Sequence, residues 1–220
     1  MSVESLRPSE PPFGRLTEAS LTADPMDLFR QWFEQARTSL RASGAMRYPD
    51  AVIFSTLTED GMPDGRVVLL KELDPDAFVI YTNLESSKGR AVKAHPKAAL
   101  TFYWDGLGRQ VRVRGEVEQV ADARADAYFG SRPRESRIGA WASAQSREIA
   151  DRAELEAQVR AVEERFAGAD VPRPEHWSGL RVIPREIEFW QEGEHRLHDR
   201  FRYQRAGEGS WSWGWSRLSP

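Results

Sequence analysis

No cysteine occurs among the 220 residues. That excludes disulfides, thiol nucleophiles and thiolate metal sites, and it fits a cytoplasmic protein. No apolar run approaches the roughly 20 residues that a membrane helix needs. Residues 1–10 have no apolar core, so a signal peptide is not expected there. The net charge is only −3, which does not indicate bulk affinity for nucleic acid or a membrane surface. A Gly-x-Gly-x-x-Gly fingerprint and βαβ alternation are both missing, which argues against a Rossmann domain. So is the Gly-x-Ser-x-Gly elbow of a serine hydrolase. Histidine is scarce: His95, His176, His195 and His198 are all there is, and none sits in a pattern that supports acyl transfer.

What remains is ordinary globular composition, 40% hydrophobic and 30% charged, with length for one full core. Residues 1–23 are rich in Pro, Ser and Glu and lack periodicity, so they read as a mobile arm. Residues 24–220 read as a single domain. Asp24-Pro25 opens a helix, with Asp as N-cap and Pro at the first position. Leu28, Phe29, Trp32, Phe33, Ala36 and Leu40 form its buried face, and Gly44 ends it. Strands are expected at 51–57, 66–72, 77–82, 98–104 and 109–120, joined by turns such as Thr58-Glu-Asp-Gly61 and Asp74-Pro-Asp76. A short helix is expected over 86–94. Helices follow at 122–129 and 147–166, the second with Ile149, Leu155, Val159 and Val162 as its apolar stripe. Closing strands are expected at 180–191, 200–205 and 210–217, where Trp211-Ser-Trp-Gly-Trp215 reads as barrel wall. The fold class is mainly β with α, an antiparallel barrel or sandwich.

The most informative stretch is Glu188-Phe-Trp-Gln-Glu-Gly-Glu-His-Arg-Leu-His-Asp-Arg200. As one strand, it puts Trp190, Arg196, His198 and Arg200 on one face, unless a bulge near Gly193 breaks the register. Two guanidiniums and an imidazole on one face suit a phosphorylated small molecule. A solvated strand edge is the bland alternative. His195-x-x-His198 with Asp199 has metal-like spacing, but strand context turns the two rings to opposite faces and a third ligand is wanting; no metal is expected. Ser86-Ser87-Lys88 opens a helix whose first N–H groups favour an anion, with Arg66 and Lys71 as further cations. Tyr128, Arg132 and Ser136, four apart, could hold a second phosphate, although Pro133 interrupts any single helix through them. Two anion sites without a nucleophile suggest a phosphorylated cofactor and a phosphorylated substrate.

These stretches together resemble the pyridoxine/pyridoxamine 5′-phosphate oxidases. The similarity is carried by Arg66-Val-Val-Leu-Leu-Lys71, Tyr81-Thr-Asn83, Ser131-Arg-Pro-Arg-Glu-Ser-Arg-Ile-Gly-Ala-Trp141, Gln145-Ser146, Glu188-Phe-Trp-Gln191, Arg196-Leu-His-Asp-Arg200 and Arg217-Leu-Ser-Pro220. The resemblance implies a split antiparallel β-barrel with surrounding helices, working as a homodimer with FMN at the interface. It implies FMN contacts at Arg66, Val67, Val68, Leu69, Leu70, Lys71, Tyr81, Thr82, Ser87, Lys88, Gln110, Gln145, Ser146, Trp190 and Arg200. Substrate contacts would be Lys71, Tyr128, Arg132, Ser136, Arg196, Leu197 and His198, with Arg196 and His198 as the catalytic pair. The implied reaction oxidises pyridoxamine or pyridoxine 5′-phosphate to pyridoxal 5′-phosphate, reducing O₂ to H₂O₂. Alternatives are a flavin oxidase acting on another ring, such as a phenazine precursor, and a non-catalytic FMN or pyridoxal-phosphate binding protein. Two departures stand out: Ser87 replaces an arginine usual in the family, and the arm reads Arg7-Pro-Ser-Glu-Pro-Pro-Phe13 instead of the family's Arg-Arg-x-Tyr.

Overall fold

The computed structural model describes residues 13–207 and 211–220. Residues 1–12 of the expected arm, and Ser210 at the expected start of the last strand, lie outside them. Among the described residues, nine strands form one antiparallel sheet: β1 (Ala51–Leu57), β2 (Pro63–Leu69), β3 (Glu72–Leu73), β4 (Phe78–Asn83), β5 (Lys97–Trp104), β6 (Arg109–Gln119), β7 (Trp177–Gln191), β8 (Asp199–Arg205) and β9 (Trp213–Arg217). The main path runs β2-β1-β5-β6-β7-β4-β3, and β8 and β9 branch from β7. The two ends of that path, β2 and β3, are separated in sequence only by Leu70 and Lys71. Laid flat, six inter-strand steps would put them ~29 Å apart at ~4.8 Å per step. Two residues span far less, so the sheet must curl until its ends meet. Leu70 N–H donates to Asp50 O at 2.9 Å, beside β1, and Lys71 N–H donates to Val79 O at 2.9 Å, in β4. The chain thus changes partner between consecutive residues, and a barrel results.

The sequence-based strand over 66–72 is corrected by this geometry. It begins at Pro63 and breaks after Leu69, because the partner changes there. A bulge between Arg114 and Gly115 bends β6 against β7. A Cβ on Gly115 would meet Ile183 O at 2.0 Å, so the bulge admits only glycine.

Helix α1 (Pro25–Ala42) plugs the barrel. Asp24 Oδ1 accepts from Met26 N–H at 2.9 Å, and Pro25 occupies the first turn. Leu28, Phe29, Trp32, Ala36 and Leu40 are buried, as the spacing requires, with Phe33 packed beside them. Phe29 stacks edge-on to Phe78 at 4.7 Å and tilts over Phe102 at 4.9 Å. Burying such a side chain contributes ~1.5–3 kcal/mol. Helices α2 (Ser87–Ala94), α3 (Asp122–Gly130), α4 (Arg134–Ala142) and α5 (Arg152–Arg165) lie around the sheet. Helix α4 was not expected from the sequence, where Pro133 reads only as an interruption. Helix α5 starts five residues later than expected, at the Asp151 N-cap, so Ile149 falls outside it and is exposed. In the expected barrel wall, Trp213 packs against the core while Trp211 and Trp215 remain exposed.

Gly115→Ala should destabilise the chain by ~1–3 kcal/mol through overpacking, read as a lowered urea midpoint. An unchanged midpoint would show that the bulge has room the structure does not give it.

Candidate functional site

The 188–200 segment is not one strand. Strand β7 ends at Gln191, a 3-10 turn occupies Glu194–Arg196, and β8 begins at Asp199. His195 and Arg196 both have left-handed backbones, φ 53° and 65°. The break falls next to Gly193, where the alternative to a regular strand was expected. Trp190 and Arg200 nevertheless share a face, because they are cross-strand partners, and Gln110 of β6 continues the row. The His198 ring lies 4.5 Å from Trp190. Arg200 Nε donates to Glu188 Oε1 at 2.9 Å and its Nη1 to Ser219 O at 2.7 Å. Gly193 N–H donates to His198 Nδ1 at 3.2 Å. That nitrogen is therefore unprotonated, and the proton of a neutral ring sits on Nε2. Arg196 and Leu197 are exposed on the same loop.

A second group gathers at the start of α2. Ser86 caps the helix, and the buried Lys88 ammonium donates to Ser86 Oγ at 3.2 Å. Burial first, then the neighbouring Arg66 charge, pull the Lys88 pKa below the ordinary lysine value. Two cations this close call for an anion. In this structure Arg66 is held by Phe54 O and Thr56 Oγ1, both at 2.9 Å, and by Asp64. Ser87 Oγ lies 3.3 Å from Ser146 Oγ, so two expected FMN residues 59 positions apart meet. Gln145 is exposed beside them. Thr82 is buried, Val67 is exposed, and Val68 packs against the core.

A third group is aromatic and cationic. Tyr81 and Tyr128 stack with ring centres 3.8 Å apart and planes within 4°. Trp177 stacks on Tyr81 at 5.3 Å. The Arg132 guanidinium lies 4.8 Å from the Trp177 ring centre, and its Nη1 is buried without a hydrogen-bond partner. Leaving such a group unpaired costs ~1–3 kcal/mol or more, which an anionic ligand would recover. Tyr81 Oη donates to Glu72 Oε1 at 3.0 Å. Burial, then this bond, push the Tyr81 pKa up to about 12. Ser136 is half-buried at the start of α4. Lys71 is exposed and lines a groove of about 540 Å³ with Asp50, Glu72 and Arg37. Trp177 was missed by the sequence reading, which began the strand at Leu180; an aromatic just before an apolar run was the available signal. Among the described residues, no group of three His, Asp or Glu is placed to hold a metal.

The groups lie at opposite ends of β7. Trp177 anchors the aromatic group and Trp190 the hairpin group, 13 residues apart. At ~3.3 Å per residue that is on the order of 40 Å, longer than one flavin or pyridoxyl ligand can bridge.

A curled antiparallel sheet whose ends are joined but not paired, carrying two anion-ready clusters, belongs to the split-barrel class. The chain belongs to the pyridoxamine 5′-phosphate oxidase family: residues 41–166 match the family model of that description. Residues 177–220 match a second, described as the pyridoxine 5′-phosphate oxidase C-terminal dimerisation region. Members of this oxidoreductase family bind FMN. A pyridoxine/pyridoxamine 5′-phosphate oxidase of Myxococcus xanthus is 52% identical over 196 residues, covering 89% of this chain and 92% of the relative. One from Azorhizobium caulinodans is 49% identical over 222 residues, the full length of both. Among solved structures, PhzG from Burkholderia lata in complex with tetrahydrophenazine-1-carboxylic acid is similar with a TM-score of 0.83 and 28% identity, covering 93% of this chain and 98% of that one. An FMN-binding protein of Nostoc punctiforme shares the fold, with a TM-score of 0.69 at 15% identity over 91% of this chain and all of that one. The donor set fits FMN: Lys88, Arg66 and the Ser87–Ser146 pair suit a phosphate. No described helix is long and apolar enough to cross a membrane.

Because only the charged Lys88 attracts a phosphate, FMN affinity should fall as pH rises through its lowered pKa, at a pH below that of a solvated lysine. Fluorescence titration of FMN against pH checks this. Lys88→Gln should weaken binding and abolish that alkaline limb; a limb that persists in the variant would assign it to another group.

Proposed function

We propose that two copies of this chain form FMN-dependent sites that oxidise pyridoxamine 5′-phosphate and pyridoxine 5′-phosphate to pyridoxal 5′-phosphate, with O₂ reduced to H₂O₂. The observation that carries the reading is the separation along β7. Tyr128, Arg132 and Ser136 cannot meet Arg196 and His198 within one chain, yet a second copy related by a two-fold axis can bring one end to the other. The match of residues 177–220 to a dimerisation region supports that arrangement. Each site then takes its phosphate-binding groups from one chain and its hairpin from the partner copy.

Bound FMN supplies the hydride acceptor for the substrate C4′ carbon and the route for two electrons to O₂. The protein's part is binding and orientation. Lys88, Arg66, Ser87 and Ser146 hold the cofactor phosphate, with Val67 to Lys71, Tyr81, Thr82, Gln110 and Gln145 along its length. Trp190 and Arg200 present a flat, cationic face to it. Arg132, with its unpaired Nη1, takes the substrate phosphate with Tyr128, Ser136 and Lys71. Arg196, Leu197 and His198 bound the reacting side of the ring; the Nε2 proton of His198 is the one it can donate. The same reading makes the chain a cytoplasmic enzyme.

A second reading rests on the likeness to PhzG: an oxidase of a phenazine precursor. Such a substrate offers one carboxylate, whereas a B6 phosphate offers three oxygens to Arg132, Tyr128, Ser136 and Lys71, which favours the B6 phosphates.

Purified protein should be yellow and should consume O₂ with either B6 phosphate, forming a visible aldehyde chromophore. O₂ uptake only with a phenazine precursor would select the second reading. Yellow protein inert to all three would leave a flavin carrier. Arg132→Ala and Arg196→Ala should each be nearly inactive, Arg196→Ala with FMN retained. Co-expressed, they should recover about a quarter of wild-type activity, since half the random dimers are mixed and each has one intact site. No recovery would mean that each site lies within one chain.

A further inference from the structure

Two consecutive left-handed residues, His195 and Arg196, neither of them glycine, form the loop between β7 and β8. Each such backbone costs ~1–2 kcal/mol, and it persists only where the surroundings enforce it. Within the loop and at its edge, Gly193 N–H donates to His198 Nδ1 at 3.2 Å, Leu197 N–H to Glu194 O at 2.9 Å and Glu192 N–H to Gly108 O at 2.8 Å.

Its base is held from outside. Gln191 and Asp199 are the last cross-strand pair before the loop, and both are buried. Gln191 Nε2 donates to Gly14 O at 2.9 Å. Arg15 donates to Asp199 Oδ2 from Nε at 3.3 Å and from Nη2 at 3.1 Å. Arg217, from the last strand, donates to Asp199 Oδ1 at 2.9 Å and from Nε to Glu18 Oε1 at 3.0 Å. Next to them Leu16 enters the core, and the guanidinium of Arg109, the cross-strand partner of Gln191, lies 5.2 Å from the Phe13 ring centre and 4.2 Å from that of Trp32. One buried carboxylate therefore ties an N-terminal segment and the C-terminal strand to the mouth of the loop. It adjoins His198 and Arg200 in sequence but points away from them, being on the opposite parity.

We infer that Asp199 is a positioning residue for the proposed site: its ion pairs with Arg15 and Arg217 hold the 192–198 loop in the strained form that presents Arg196 and His198. The inference rests on the oxidase reading for its consequence, though the clamp itself does not. A carboxylate anchored by two guanidiniums at a hairpin mouth fixes the direction in which both strands leave the sheet. Without it the left-handed pair relaxes, and a displacement near 1 Å at a reacting centre is enough to cost ~100-fold in rate.

The test compares wild type, Asp199→Asn, Arg15→Ala and Arg15→Lys as FMN-loaded proteins. Arg15 is 66% exposed in its side chain, so Arg15→Ala keeps the fold even where Asp199→Asn does not. Hydrogen exchange by mass spectrometry should accelerate ~10-fold or more in the 192–198 peptide for Asp199→Asn and Arg15→Ala, while β6 and the first part of β7 keep wild-type protection. kcat should drop ~10–100-fold with FMN affinity within ~3-fold of wild type, and Arg15→Lys should recover most of it by restoring the charge. Wild-type loop exchange in both disrupting variants, or acceleration spread evenly over the chain, would overturn the clamp. Loop acceleration with unchanged kcat would overturn its positioning role. If the wild type oxidises neither B6 phosphate, the oxidase reading fails, and the exchange comparison still decides whether the clamp exists.

Discussion

Everything in this molecule depends on the two residues Leu70 and Lys71. They join the two ends of a seven-strand path, and the chain can satisfy that connection only by rolling the sheet into a barrel. The hydrogen bonds of these residues, one to Asp50 O and one to Val79 O, are the seam. The curl joins the edge strands β2 and β3 through two residues of chain, and it creates an interior that α1 fills with Phe29, Trp32 and Leu40. It also puts Lys71, a cation, on the outside of the seam beside Asp50 and Glu72. The position that shapes the fold is thus also one that faces the proposed ligand.

Closure has a second effect through strand length. Strand β7 is 15 residues long because it must pair with β4 at one end, β6 along its length and β8 at the other. A strand of that span carries functional groups at both ends and cannot fold them together. Hence the electrostatics look incomplete within one chain. Arg132 keeps a buried nitrogen unpaired, and Lys88 sits with its charge disfavoured by burial and by Arg66. A phosphate would relieve both penalties, and in the proposed arrangement a second copy supplies the hairpin that neither cluster has nearby. The proposed two-chain site is thus motivated by strand geometry, and the match of residues 177–220 to a dimerisation region supports the same arrangement.

Parts of this were legible in the chain and parts were not, for physical reasons. Asp24-Pro25 and the 3-4 spacing of Leu28, Phe29 and Trp32 announce α1, because capping and burial are local properties. The strands around 51–57 and 98–104 were legible for the same reason. The break after Leu69 was not, because it comes from a change of partner, which leaves no local mark in Val-Val-Leu-Leu. Helix α4 was hidden by Ser131-Arg-Pro, which reads as an interruption although Pro133 serves as its N-cap. The residue types of the proposed site were readable from motif order, and their division between two ends of one strand was not. The hairpin inside 188–200 was marked only by Gly193, since nothing in His195 or Arg196 encodes a left-handed backbone.

A loop whose conformation local sequence does not favour has to be imposed by tertiary contacts. At Gly193 the imposition is steric: a Cβ would meet Leu197 O at 2.0 Å, so the chain returns on itself with no room for a side chain. At His198 it is electronic, since the Gly193 N–H fixes which ring nitrogen carries the proton. At Asp199 it is ionic, through Arg15 and Arg217. Three different interactions converge on seven residues that contribute little to the core. Stability alone gives no reason for this, because a two-residue turn between β7 and β8 would cost less. A ligand that needs one imidazole tautomer and one guanidinium held at fixed positions does give a reason.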